Sequence, residues 1–100
     1  MQTISVTELK SRIDAGEKIN LLDVREPAER DEFNIGGIHI QLGKIQTMQT
    51  DEIDALKNEE LIVYCRSGNR SGMASLFLEQ MGFENVKNLT GGMLAWKEMK

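Results

Sequence analysis

The chain has 100 residues, of which 40% are hydrophobic and 28% charged; this is an ordinary water-soluble composition with room for a single domain, residues 1–100. Its one cysteine cannot form an internal disulfide, and one cysteine with one histidine cannot complete a four-ligand zinc site. The net charge of −4 disfavours nucleic acid as a partner. The sequence shows neither an apolar run long enough to span a membrane nor a signal-like N-terminus, so we expect a cytoplasmic protein.

The first half of the chain alternates apolar runs with helix signals. Ser5-Val6-Thr7-Glu8 has the spacing of a capping box, which predicts a helix that Gly16 can end. The apolar run at 19–24 predicts a buried strand, after which Pro27 suits the first turn of a short helix. The predicted elements are an edge strand at 1–4, helices at 6–15 and 27–33, a strand at 35–40, a polar loop at 44–50 and a short helix at 51–56.

The second half is built around a short apolar run that stops at Cys65. Residues 61–64 are unbroken apolar, which indicates a strand buried on both faces, and the loop after it leads into a helix that begins near Arg70. A last strand at 86–89 and a final helix capped by Thr90 follow. This alternation predicts an α/β fold: a single domain with a central, mainly parallel sheet of about five short strands, flanked by helices on both faces.

Cys65 opens its loop at the carboxyl end of a predicted parallel strand, where α/β sheets bind ligands. The N-terminus of the following helix, the loop amides and the guanidinium groups of Arg66 and Arg70 would all stabilise a thiolate. We therefore predict a pKa for Cys65 below the usual value of about 8.5. The alternative is a small core side chain, but two arginines and a glycine within five residues are poor neighbours for one.

Three motifs in chain order surround this strand, loop and helix: Asp23-Val24-Arg25-Glu26, the loop Cys65 to Arg70, and Gly91-Gly92-Met93-Leu94-Ala95-Trp96. Together they resemble the single-domain rhodanese family, sulfurtransferases that carry sulfur as a cysteine persulfide. The resemblance covers nearly the whole chain. It implies a rhodanese-like α/β fold with a central parallel sheet and Cys65 as the catalytic sulfur carrier.

The resemblance also implies a double-displacement mechanism without a metal or an organic cofactor. Cys65 would take the outer sulfur of a small anionic donor such as thiosulfate and pass it to cyanide or to a cellular thiol or protein acceptor. Gly68 is the expected site of a backbone conformation that aims an amide inward. The expected substrate-binding residues are those of the loop, namely Arg66, Ser67, Gly68, Asn69 and Arg70.

Asp23 and Arg25 follow another predicted strand and are candidate supporting residues. The resemblance places them near the active-site end of the sheet. They could form an ion pair that ties two loops together, or Arg25 could contact the substrate directly, and the sequence leaves both open. His39 lies in an apolar segment, which is more typical of a structural residue than of a base for Cys65.

Two other classes of function compete with sulfur transfer. One is a phosphatase or arsenate reductase, because the cell-cycle dual-specificity phosphatases resemble rhodaneses in fold and also cradle an oxyanion in a loop with Cys and Arg. Such phosphatases place five residues between the two, whereas four separate Cys65 from Arg70 here. The other is a non-enzymatic sulfur-carrier or partner-binding module, although inactive family members typically lack the cysteine that this chain keeps.

Overall fold

The computed structural model describes residues 2–99, which form one five-stranded, entirely parallel sheet. The strands are β1 (Gln2–Ile4), β2 (Leu21–Asp23), β3 (Ile38–His39), β4 (Glu60–Tyr64) and β5 (Asn85–Leu89), in the spatial order β1-β5-β4-β2-β3. The helices are α1 (Val6–Asp14), α2 (Pro27–Glu32), α3 (Leu42–Gln46), α4 (Asn69–Gln80) and α5 (Gly92–Glu98), with a 3-10 helix at Asp51–Leu56. The predicted α/β fold class is confirmed.

The central strand β4 divides the core into two clusters. Successive side chains of a strand point to opposite faces, so Leu61 and Val63 pack on one side, whereas Ile62 and Tyr64 pack on the other. The first cluster contains side chains of α3, α4 and the 3-10 helix, and the second contains side chains of α1 and α5. All four of these strand residues are fully buried, as the unbroken apolar run predicts.

Three of the predicted elements differ from those observed. The polar segment 44–50 is not entirely a loop, because fully buried Ile45 anchors the last turn of α3. The strand predicted at 35–40 is reduced to β3, since Gly36 and Gly37 have positive φ, 93° and 85°, which is not an extended conformation. Thr90 does not cap the final helix; Gly91, with φ of 79°, is the N-cap residue.

The start of α5 lies directly against the strand end that carries the cysteine. The amide of Met93 donates to the carbonyl of Cys65 at 2.9 Å, and the amide of Leu94 donates to the carbonyl of Arg66 at 2.9 Å. A Cβ atom at Gly92 would collide with the Cys65 carbonyl. The glycine therefore permits this close approach of α5 to the strand end.

Among residues 2–99, no helix combines the length and the apolar character needed to cross a lipid bilayer.

Candidate active site

The loop after β4 wraps its amide groups around the sulfur of Cys65. Gly68 has φ of 104°, a left-handed conformation that turns the chain into α4, for which it is the N-cap residue. Its amide donates to Cys65 Sγ at 3.0 Å, and the amide of Ser71 donates to the same atom at 3.3 Å. The inward amide expected at Gly68 is therefore present.

The pKa of Cys65 reflects two opposed influences. Burial raises it, because the side chain is only 1% exposed. The Ser71 hydroxyl, which lies within hydrogen-bond distance of the sulfur, and the amides of Ser71, Gly68 and Ser67 together hold the pKa of Cys65 below its ordinary value. The direction predicted from the sequence is thus confirmed. The leading stabilising groups, however, are a hydroxyl and amides rather than the two arginines.

The two loop arginines have different surroundings. Both terminal nitrogens of Arg70 donate to the carboxylate of Glu29 on α2, at 2.7 Å each. This contact holds the pKa of Glu29 at about 2, so the carboxylate is ionised at neutral pH and offsets the charge of Arg70. Arg66 is exposed and makes no ion pair with any residue between 2 and 99. Arg66 is therefore the loop guanidinium that is available to a ligand.

A cavity of about 370 Å³ opens beside the loop, between α2 and α5. Arg66 borders it on the loop side, Phe33 and Glu32 on the α2 side, and Leu94 and Lys97 on the α5 side. Within residues 2–99 neither Arg66 nor Lys97 forms an ion pair, and because Glu29 and Glu32 border the same cavity, its lining carries charges of both signs beside a partly apolar wall.

Asp23 and Arg25 form a buried ion pair at the end of β2. Arg25 donates through Nε and Nη2 to the two Asp23 oxygens, at 2.9 Å each, and through Nη2 to the carbonyl of Phe33 at 2.6 Å. Burial raises the pKa of Asp23, but the hydrogen bonds from Arg25 outweigh it and the pKa is lowered. His39 Nε2 donates to the Arg25 carbonyl at 2.7 Å, so its ring is engaged with the β2 loop.

The structure brings two residues to the site that the sequence analysis did not identify, Ser71 and Asn88. The Ser71 hydroxyl lies 3.3 Å from Cys65 Sγ and donates to Asn88 Oδ1, while Asn88 Nδ2 donates to the Gly68 carbonyl at 3.1 Å. Asn88 lies inside the predicted strand at 86–89, and a polar side chain in a buried strand needs hydrogen-bond partners. Its position in the sequence was therefore a signal that it takes part in a polar contact.

The fold and this site define a class: α/β proteins in which a lone cysteine, at the end of the central parallel strand, lies in a ring of hydrogen-bond donors. The profile of the Rhodanese-like domain family matches residues 5–99, and the chain belongs to that family.

Relatives and solved structures agree with this assignment. YtwF of Bacillus subtilis, provisionally named a sulfurtransferase, is 39% identical over 99 residues, which cover 97% of this chain and 91% of YtwF. YrkF of the same organism, provisionally named a sulfur carrier protein, is 37% identical over 93% of this chain, which spans only 49% of YrkF. The crystal structure of a rhodanese-like domain protein from Staphylococcus aureus superposes with a TM-score of 0.84 at 28% identity, covering 96% of this chain and 91% of that one.

Proposed function

We propose that this member of the rhodanese family is a sulfurtransferase in which Cys65 carries sulfur as a persulfide. The observation that carries the proposal is the pair of backbone donors to the sulfur, the amides of Gly68 and Ser71 at 3.0 and 3.3 Å, with the Ser71 hydroxyl 3.3 Å from the same atom. Donors in fixed positions stabilise an anionic sulfur without any reorganisation during the reaction. The sulfur-related names of YtwF and YrkF are consistent with this chemistry.

In the first half-reaction, the Cys65 thiolate attacks the outer sulfur of thiosulfate. A bond forms between Cys65 Sγ and that sulfur, the S–S bond of thiosulfate breaks, and its electron pair leaves with sulfite. The enzyme keeps a persulfide whose outer sulfur carries one negative charge. The amides of Asn69 and Arg70 open α4, where a helix has no internal acceptors for its first N–H groups, and they are suited to hold that charge.

In the second half-reaction, a thiophile attacks the outer sulfur, and the bond to Cys65 Sγ breaks. The electron pair returns to Sγ as a thiolate, and cyanide leaves as thiocyanate. Either step moves one sulfur atom and needs no oxidant, metal or organic cofactor.

Donor binding is assigned to the exposed end of the loop. Arg66 makes no ion pair with any residue between 2 and 99, so its guanidinium is the group that contacts thiosulfate in this proposal. Lys97 adds a second cation across the cavity, which Glu29 and Glu32 also border. Ser67 and Asn69 are exposed beside Arg66. In this proposal, Arg70 holds the loop in place by its ion pair with Glu29. Asp23 and Arg25 stabilise the adjacent loop, which follows β2.

The test is steady-state production of thiocyanate from thiosulfate and cyanide. Double displacement predicts parallel lines in double-reciprocal plots against either substrate, because sulfite leaves before the acceptor reacts. The control is Cys65→Ser, which keeps the size of the side chain but replaces the thiol with a poor nucleophile. Thiocyanate production that persisted undiminished in Cys65→Ser would exclude the proposed mechanism.

A further inference from the structure

A buried chain of polar side chains leads away from the reactive sulfur. Cys65 Sγ contacts the Ser71 hydroxyl, the hydroxyl donates to Asn88 Oδ1, and Asn88 Nδ2 donates to the carbonyl of Gly68. Ser71 is fully buried and Asn88 is 9% exposed. The chain thus links the sulfur to β5 and returns to the loop that surrounds it.

The carbonyl of Gly68 fixes the orientation of the Asn88 amide. A carbonyl oxygen can only accept, so the amide nitrogen of Asn88 must face it at 3.1 Å. Rotating the amide by half a turn would place two oxygens against each other. Asn88 therefore presents its oxygen, an acceptor without a proton, to Ser71.

Ser71 has one hydroxyl proton and two neighbouring acceptors. When it donates to Asn88, its oxygen can only accept from Cys65, which requires a neutral S–H group. When Cys65 is ionised, the sulfur itself becomes an acceptor, and the same proton is needed there. Asn88 and the thiolate therefore compete for one hydrogen-bond donor.

We propose that Asn88 is a positioning residue that acts through Ser71: it holds the hydroxyl proton while the sulfur of Cys65 is neutral and releases it when negative charge develops there. The proposal rests on the proposed function in that discharge of the persulfide returns an electron pair to Sγ. As the S–S bond breaks, the Ser71 O–H rotates from Asn88 to Sγ, and no proton is transferred.

Few charged groups lie around the sulfur on the elements packed against it. Arg70 of α4 interacts with the charge of Cys65, and Glu29 of α2 holds Arg70 in place. From β5 the neutral Asn88 faces the site, and from α5 the backbone at Gly92 does. Substitutions at Ser71 and Asn88 leave these charges unchanged, so their effects report the hydrogen-bond chain.

The experiment measures the rate of alkylation by iodoacetamide across a range of pH, which reports the pKa of Cys65 because it is the only thiol in the chain. Ser71→Ala should raise that pKa, and Ser71→Thr, which keeps a hydroxyl, should leave it near the wild-type value. Asn88→Leu should lower it, because the Ser71 hydroxyl then loses the acceptor that competes with the sulfur for its proton.

The direction of the Asn88→Leu effect separates the proposal from a purely structural role. If Asn88 only braced the Gly68 carbonyl, its loss would misalign the loop amides, and the pKa of Cys65 would rise. In the double variant Ser71→Ala/Asn88→Leu, the proposal predicts the pKa of Ser71→Ala alone, because Asn88 acts through the missing hydroxyl. The proposal would be overturned if the pKa of Cys65 rose in Asn88→Leu, or if Asn88→Leu shifted that pKa equally in the wild-type and Ser71→Ala backgrounds.

A kinetic readout and a folding control complete the test. Ser71→Ala should slow discharge of the preformed persulfide to cyanide by about tenfold, the loss of one hydrogen bond to a charged group, while Ser71→Thr stays within about twofold of wild type. Circular dichroism checks the fold, and Asn88→Ala replaces Asn88→Leu if the larger side chain prevents folding.

The alkylation result does not require sulfur transfer, so wild-type protein that forms no persulfide would refute the proposed function while leaving the pKa comparison intact.

Discussion

Replacing Arg66 with alanine should reduce the use of thiosulfate without reducing stability. The structure gives Arg66 an exposed side chain with no ion pair among residues 2–99, so its removal breaks no internal contact of that kind. A charge-assisted hydrogen bond is worth about 1.5 to 3 kcal/mol. If the guanidinium makes one such bond in the transition state, kcat/KM for thiosulfate should fall about 10- to 150-fold.

Arg70→Ala should behave differently because its guanidinium is already paired. Removing it leaves Glu29 without its partner beside the loop, which adds an uncompensated negative charge where an anionic donor approaches. Both side chains are about one-third exposed, 34% and 30%, so solvent limits the stabilising effect of the pair to roughly 1 kcal/mol. Arg70→Ala should therefore lose both donor use and a few degrees of thermal midpoint, whereas Arg66→Ala loses donor use alone.

The assay is kcat/KM for thiosulfate at several salt concentrations, together with thermal unfolding of each variant. Lys57→Ala is the matched control, since it also removes one positive charge but lies before the amino end of β4, whereas Cys65 follows its carboxyl end. It should change kcat/KM by less than about twofold, because charges beyond the screening length of about 8 Å act weakly. Equal kcat/KM in wild type and Arg66→Ala would show that the exposed guanidinium does not contact the donor.

Three further outcomes follow from the structure. Gly92→Ala should move α5 away from the Cys65 carbonyl and destabilise the fold by about 1 to 3 kcal/mol. The control Gly43→Ala, where the added methyl group meets open space, should unfold like wild type. Equal thermal midpoints for the two variants would show that the close approach is dispensable. Arg12 and Lys87 hold the pKa of Glu60 at about 2, below its unfolded value, so this contribution to stability is present above about pH 4.5 and lost as the pH falls towards 2. In Glu60→Gln the free energy of unfolding should therefore fall less steeply between about pH 4.5 and 2 than in wild type. An unchanged slope would show that the acid sensitivity arises from other groups. Hydrolysis of p-nitrophenyl phosphate should be negligible, because a four-residue spacing gives a smaller ring of amides than a phosphoryl group needs; activity equal to sulfur transfer, and lost in Cys65→Ser, would favour the phosphatase alternative.

The local part of the site was predictable from the sequence. The strand at 61–64 has an unbroken apolar run, and the cysteine that ends it is followed by a glycine and a helix signal, so the strand, loop and helix order follows from short-range patterns. The positive φ at Gly68 and the close approach at Gly92 are likewise demands that only glycine meets easily. Each of these features depends on residues that are near in the chain.

The contacts that tune the site were not predictable in the same way, because they join distant segments. The Arg70 and Glu29 pair spans 41 residues and depends on how α2 packs against the loop. The contact between Ser71 and Asn88 depends on the register of β5 beside β4, in which Asn88 pairs with Val63. For this reason the sequence indicated a lowered pKa for Cys65 but attributed too much of it to the arginines.

The central claim is that Cys65 accepts a sulfur atom, and intact mass after incubation with thiosulfate tests it most directly. The account predicts that wild-type protein gains the mass of one sulfur atom, that cyanide or a reducing thiol removes it, and that Cys65→Ser gains nothing. The only thiol in the chain makes the assignment unambiguous. Folded wild-type protein that gained no sulfur, or Cys65→Ser protein that gained it as well, would contradict the account.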